Sequence, residues 1–338
     1  MILTTPQELR LYLPTHVIES LEPFYGFIDN SEHDFLLERI GKPLYAALTE
    51  KYNKEADKEA ILPGGYEELT PWNQLVQLCQ RPVAFDMLYR AADVSAVSVN
   101  ESGLNVMDTD GYDNADDKTI DRYKKRLNTE AHRGIDRLLV TLEEWAEDIS
   151  ANKGGEDVSD ALSEKDEIIA LWKQSRYYYL AEGLFINTAR KFNEFVDIYD
   201  SREKFIQLLP DLRYCQEFVI RPELGDALTD DLVSKSQAGN GSEAEKKAIR
   251  LAQYALALKV EDRSSIFKRA EAKDEAIGAV RRLTDYLKAN QDKLDAEAVK
   301  SAPFYEERKQ EKVEQVVPSN PWQNNRKGNK VFVTRAIE

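Results

Sequence analysis

The sequence predicts a mainly α-helical protein made of two pseudo-repeated helical-bundle units. Three observations point there. Apolar residues recur at three- and four-residue spacings along most of the chain. The same order of motifs occurs twice. Before the C-terminal arm, strand-like, β-branched alternation is confined to one stretch, Val94 to Met107 (VSAVSVNESGLNVM), where a short extended element or hairpin is expected.

Element by element, Thr4-Thr5-Pro6-Gln7-Glu8 has the form of a helix start, with a hydroxyl cap, a proline in the first turn and an acid behind it. Leu21, Phe24, Tyr25 and Ile28 share one helical face. A further apolar run, Phe35 to Ile40, leads into Gly41-Lys42-Pro43 and a short helix with Leu44, Leu48 and Tyr52 inward. Leu62-Pro63-Gly64-Gly65 reads as a loop. Thr70 then caps a helix to about Val94, with Pro71 at its first position and Pro82 expected to kink it. A helix from about Asp117 to Ile149 follows the acidic loop.

Residues 151–166 are polar and contain glycine, and read as a linker between a first unit at 1–150 and a second at 167–300. From Ile168 to Phe205, Trp172, Tyr179, Leu184, Phe192 and Phe195 recur at helical spacings. One long helix of about 25 to 30 residues is expected there, well above the usual length. On a helix, Tyr177, Tyr178 and Tyr179 cannot all face one way. At least one of them is expected at a second surface, and a subunit interface is the natural candidate because tyrosine is enriched there. Helices at about 201–212, 244–261 and 265–293 complete the second unit.

The internal repeat is the strongest organisational signal. Gly41-x-x-Leu44-x-x-x-Leu48 returns as Gly225-x-x-Leu228-x-x-x-Leu232. Gln80 with Val83 and Met87 returns as Gln253 with Leu256 and Val260, and Leu142-x-x-Trp145 returns as Leu283-x-x-Tyr286. Two stacked units of related design are the expectation.

The 338 residues are 42% hydrophobic and 32% charged, with a net charge of −15. That balance suits a folded chain and disfavours binding to phosphate backbones. No run of apolar residues is long enough for a membrane span, and the N-terminus lacks the pattern of a signal peptide. Cys79 and Cys215 sit in apolar helical contexts and read as buried, reduced thiols.

No catalytic residues, cofactor or metal site are read from the sequence. The three histidines share no motif spacing, and phosphate-loop, zinc and nucleophile-elbow motifs are missing. Asp108 to Asp117 can be laid on a calcium loop only with Val106 at the obligatory first acid, which makes it an acidic turn at a helix start rather than a metal site.

The end of the chain differs in kind. Residues 301–338 are expected to form an extended C-terminal arm. Trp322 would anchor it, Val331, Phe332 and Val333 would add a strand to a partner's sheet edge, and Arg326, Lys327, Lys330 and Arg335 would face an acidic partner surface.

The run Trp172…Tyr179-Leu-Ala-Glu-Gly183-Leu-Phe…Phe192-Asn193-Glu-Phe195…Ser201-Arg202-Glu-Lys-Phe205, with Arg81-Pro-Val-Ala-Phe-Asp-Met-Leu and Ser102-Gly103-Leu-Asn-Val in the first half, resembles a family of unknown function, DUF6712, of Bacteroidetes and their prophages, over most of residues 1–295. Proteins of this kind look like tailed-phage head–tail connectors, or adaptors. The resemblance implies a structural virion protein, not an enzyme. It would form a homo-oligomeric ring of about a dozen copies or fewer, meeting the portal protein on one side and a tail or stopper protein on the other. DNA would pass through an acidic lumen without specific binding. Another virion assembly role (stopper or head completion) and a cellular helical protein-interaction module are the alternatives.

Overall fold

The computed structural model describes residues 1–13, 18–54, 69–94, 97–100, 103–106, 117–151, 160–180, 183–267 and 272–305. The protein is mainly helical. α1 (Pro6–Tyr12) opens with a capping box, in which Thr5 accepts the N–H of Glu8 and the Glu8 carboxylate accepts that of Thr5. α2 (Tyr25–Asn30) runs through a π-helical stretch, Ser31–Leu36, into α3 (Leu37–Ile40). After Gly41 come α4 (Lys42–Lys54) and α5 (Pro71–Val94), which continues through Pro82. The short β element is an antiparallel hairpin of β1 (Val97–Asn100) and β2 (Gly103–Val106), with Val97 opposite Val106. α6 (Asp117–Ala151) and α7 (Asp160–Lys173) follow. Gly134 in mid-α6 sits against Pro82, where a Cβ would lie 3.1 Å from the proline ring, so the two longest helices approach closely.

The second set is α8 (Ala189–Asn193), α9 (Arg202–Cys215), a π-helical stretch Gln216–Ile220, α10 (Arg221–Leu224), Gly225, α11 (Asp226–Ala238), α12 (Glu243–Arg263), α13 (Ala272–Ala289) and α14 (Ala296–Lys300). It repeats the first. In each set a π-helical stretch passes into a four-residue helix that stops at a glycine. Gly41 has φ 82° and ψ 160°, and Gly225 has φ 82° and ψ 157°, a region that only glycine occupies without strain. A 13-residue helix follows each glycine. Long paired helices come next, α5 with α6 and α12 with α13. A last helix then packs back on the first, α7 on α4 and α14 on α11.

The correspondence reaches single hydrogen bonds. The N–H of Ile2 donates to Glu32 Oε1 (2.7 Å), and its carbonyl accepts from Gln80 Nε2 (2.6 Å). The N–H of Phe185 donates to Gln216 Oε1 (2.8 Å), and its carbonyl accepts from Gln253 Nε2 (2.9 Å). Three residues on from each clamped residue, Thr5 and Thr188 cap α1 and α8. Buried apolar side chains of both sets form one contiguous core.

One expectation is corrected. The stretch Ile168 to Phe205 is not one helix. α7 ends at Lys173, where Ser175 takes over the backbone: its N–H donates to the Trp172 carbonyl (2.9 Å), and its carbonyl and hydroxyl accept from Tyr178 and Tyr177. Further on, Asn193 Oδ1 accepts the N–H groups of Ile198 and Asp200 beside two left-handed residues, Tyr199 and Asp200, and Ser201 caps a new helix. Tyr177 to Tyr179 therefore lie on a turn and not on a helix. The linker expected at 151–166 is in part helical, because Ala151 ends α6 and α7 begins at Asp160. The arm residues Trp322, Arg326, Lys327, Lys330, Val331, Phe332, Val333 and Arg335, and the acidic loop before Asp117, lie outside the described residues.

Candidate interaction site: the seam between the units

The two units meet where the flank of α6 faces the N-terminus of α9. On α6, His132, Asp136 and Glu143 follow the four- and seven-residue spacing that places them on one side. Asp136 Oδ1 accepts the N–H of Arg202 (2.8 Å) and of Glu203 (3.2 Å), so a carboxylate of unit one caps the first turn of a helix in unit two. Burial raises the Asp136 pKa, and the two backbone bonds offset part of that rise.

Glu143 lies deeper. Its Oε1 accepts from the Tyr179 hydroxyl (2.7 Å) and its Oε2 from Arg202 Nε (3.2 Å). Burial raises the Glu143 pKa, against the lowering by Tyr179 and Arg202. Burial works against the charge of Arg202, but Glu143 and Asp200 outweigh it and hold the guanidinium charged. Arg202 and Glu143 side chains are only 5% and 8% exposed, so the pair is a buried ion pair, and Arg202 also donates to the Asp200 carbonyl.

At the outer end, Glu203 accepts from Arg39 of α3 (3.1 Å) and pairs with His132 Nδ1. The bond to Glu203 raises the His132 pKa, with burial opposing it. Phe35 meets the imidazole edge-on at 5.3 Å between ring centres.

Beside the seam lies a cavity of about 690 Å³, lined among others by Glu143, Glu147, Tyr178, Lys191 and Arg202. Lys191 Nζ donates to Asn187 Oδ1 (3.0 Å), and burial lowers its pKa. The lining carries both signs of charge, which suits a polar group bearing both.

The structure separates the three tyrosines. Tyr179 is buried, with its hydroxyl on Glu143 and its ring against Phe205 and Trp172. Tyr178 is half-buried, edge-on to Trp172 at 4.9 Å, and lines the cavity. Tyr177 is half-buried under the Arg176 guanidinium, 4.8 Å from its ring centre. Sequence reasoning missed Arg39, His132, Asp136, Glu143, Arg202 and Glu203. The available signal was polar residues at helical spacing beside the buried positions Ile135, Leu139 and Leu142. Among the described residues, no group of three or more His, Cys, Asp or Glu is placed to hold a metal ion, and no helix is long and apolar enough to cross a membrane.

Fold and seam define a duplicated helical protein whose two units are fused through a polar interface. Residues 36–161, from the end of the first π-helical stretch to the start of α7, match the model of a family of unknown function, DUF6712. That span is narrower than the resemblance expected over most of residues 1–295. No curated protein and no solved structure was found to match the chain.

Proposed function

We propose that the protein is a structural component of a tailed-phage neck: a head–tail connector, or adaptor, that forms a homo-oligomeric ring between the portal and a tail or stopper protein. The observation that supports this most is the seam. Two units of one design are joined by unlike surfaces, the α6 flank of one and the α9 edge of the other. Repetition of unlike surfaces is how rings are built. The net charge of −15 suits a lumen that lets DNA pass without holding it. In this reading the arm, with Trp322, Arg326, Lys327, Lys330, Val331 to Val333 and Arg335, docks on the portal or a neighbour, and the chain resides in the virion.

The test is reconstitution with the portal ring of the same phage, read by light scattering and electron microscopy. The expected result is a stable co-complex that deletion of residues 313–338 abolishes while helicity is kept. Absence of any portal complex with the full chain sinks the reading.

A further inference from the structure

The repeat says which surfaces of the chain remain to be covered. Its register is fixed by buried positions. Ala131, Ile135, Leu138 and Leu142 of α6 correspond to Ala272, Ala276, Ala279 and Leu283 of α13, all buried. Leu21 and Ile28 correspond to Phe205 and Leu212, also buried, in the register of Gly41 and Gly225. The seam positions then have counterparts. His132 and Asp136 of α6 become Lys273 and Ile277 of α13, and Glu143 becomes Thr284. On the other side, Arg202 and Glu203 become Ile18 and Glu19.

Each counterpart is more open than its original: Lys273, Ile277 and Glu19 are exposed, and Ile18 and Thr284 half-buried, where His132 and Asp136 are half-buried and Glu143, Arg202 and Glu203 buried. Ile277 is 52% exposed, Lys273 and Arg281 beside it are exposed, and so are Glu19, Ser20 and Glu22. The chemistry is complementary at two of these pairs. Where His132 meets Glu203 inside the chain, Lys273 would meet Glu19. Where Asp136 meets Arg202, Ile277 would meet Ile18. Glu223, on α10, takes the place of Arg39 and lies by Thr284 (3.4 Å). The cation of that cluster therefore moves to Lys273.

We infer that the α13 flank of unit two docks on the 18–22 edge of unit one of a second copy of this chain, reproducing between chains the seam found within one. Each copy then offers one flank and one edge, so copies add head to tail and the series closes where the rotation allows. The inference rests on the self-association that the neck reading assumes. It also names the contact surfaces, and it can be decided with the purified chain alone.

The experiment uses the full chain, a flank variant (K273E with I277D) and an edge variant (E19R with E22R), followed by light scattering and native mass spectrometry over a concentration series. All four substituted positions except Ile277 carry exposed charges, and melting temperature checks that each variant is folded. The wild type is expected to associate progressively, and each folded variant to associate about tenfold more weakly or less. An equimolar mixture of the two variants is expected to stop at a one-to-one pair, because one still has a sound edge and the other a sound flank. A wild type that stays monomeric throughout, or folded variants that associate as the wild type does, overturns the inference. Portal binding by the same samples decides the neck reading separately, since a monomer that binds the portal ring leaves that reading standing.

Discussion

Gln253 does for Phe185 what Gln80 does for Ile2: each side-chain amide reaches from a long helix to the carbonyl of a residue whose N–H is tied to a side chain of the π-helical stretch, Glu32 or Gln216. The two sites differ in burial. Gln80 is fully buried and also donates to Glu8 Oε1 (2.9 Å), whereas Gln253 is half-buried. Replacing Gln80 with Leu leaves a buried carbonyl and a buried carboxylate each short of a partner. A loss of about 1–3 kcal/mol is expected, with a smaller loss for Gln253→Leu, whose carbonyl water can reach. Urea unfolding of the two variants checks the order, and equal losses would contradict it.

The two glycines give a second comparison. Alanine at either must adopt a conformation that costs roughly 1–3 kcal/mol. At Gly41 the new Cβ would also fall 2.0 Å from the Ser175 hydroxyl, while at Gly225 the nearest atom is 3.1 Å away. Gly41→Ala is therefore expected to be the more damaging change, displacing the turn after α7. Thermal melting of both variants, with tryptophan fluorescence reporting on Trp172, distinguishes them.

In the seam, removing one member of the buried pair strands the other. Arg202→Met is expected to cost about 3–5 kcal/mol, and Glu143→Gln a comparable amount. The double variant Arg202→Met with Glu143→Leu is expected to recover much of the loss, because no charge is then left without a partner. A double variant as unstable as the sum of the singles would show that the two side chains are not coupled.

His132 makes the seam sensitive to pH. Its pKa in the folded chain lies above the ordinary 6.5 because Glu203 favours the imidazolium. A raised value means that the stabilisation is fully present below the unfolded-state pKa and is lost as pH rises through the folded one. Proton NMR titration is expected to place His132 above 6.5 in the wild type and to bring it down in Glu203→Gln. A Glu203→Gln titration indistinguishable from wild type would remove Glu203 as the cause.

Much of the fold could be read from the chain because its signals are local. Thr5 with Glu8, Thr70 with Pro71, and Ser201 mark helix starts without reference to anything distant. The repeat showed through Gly41 and Gly225, since the backbone there admits little else. The break after Lys173 was hidden because its cause is tertiary. The apolar spacing runs on past Trp172 to Tyr179 and Leu184, but Ser175 is seated against Gly41, and Phe185 gives its N–H to Gln216. The seam was hidden for a related reason. Asp136 and Glu143 are two among 61 acids, and nothing near them in sequence names partners that lie some sixty positions on.

The cap that Asp136 places on α9 also orders events during synthesis. Ser201 and Asp136 both serve the first turn of that helix, but Asp136 precedes the turn by 66 residues and belongs to a helix already made when α9 leaves the ribosome. The earlier half is thus a template on which the later half starts its first long helix, and a chain released without it begins that helix one carboxylate short.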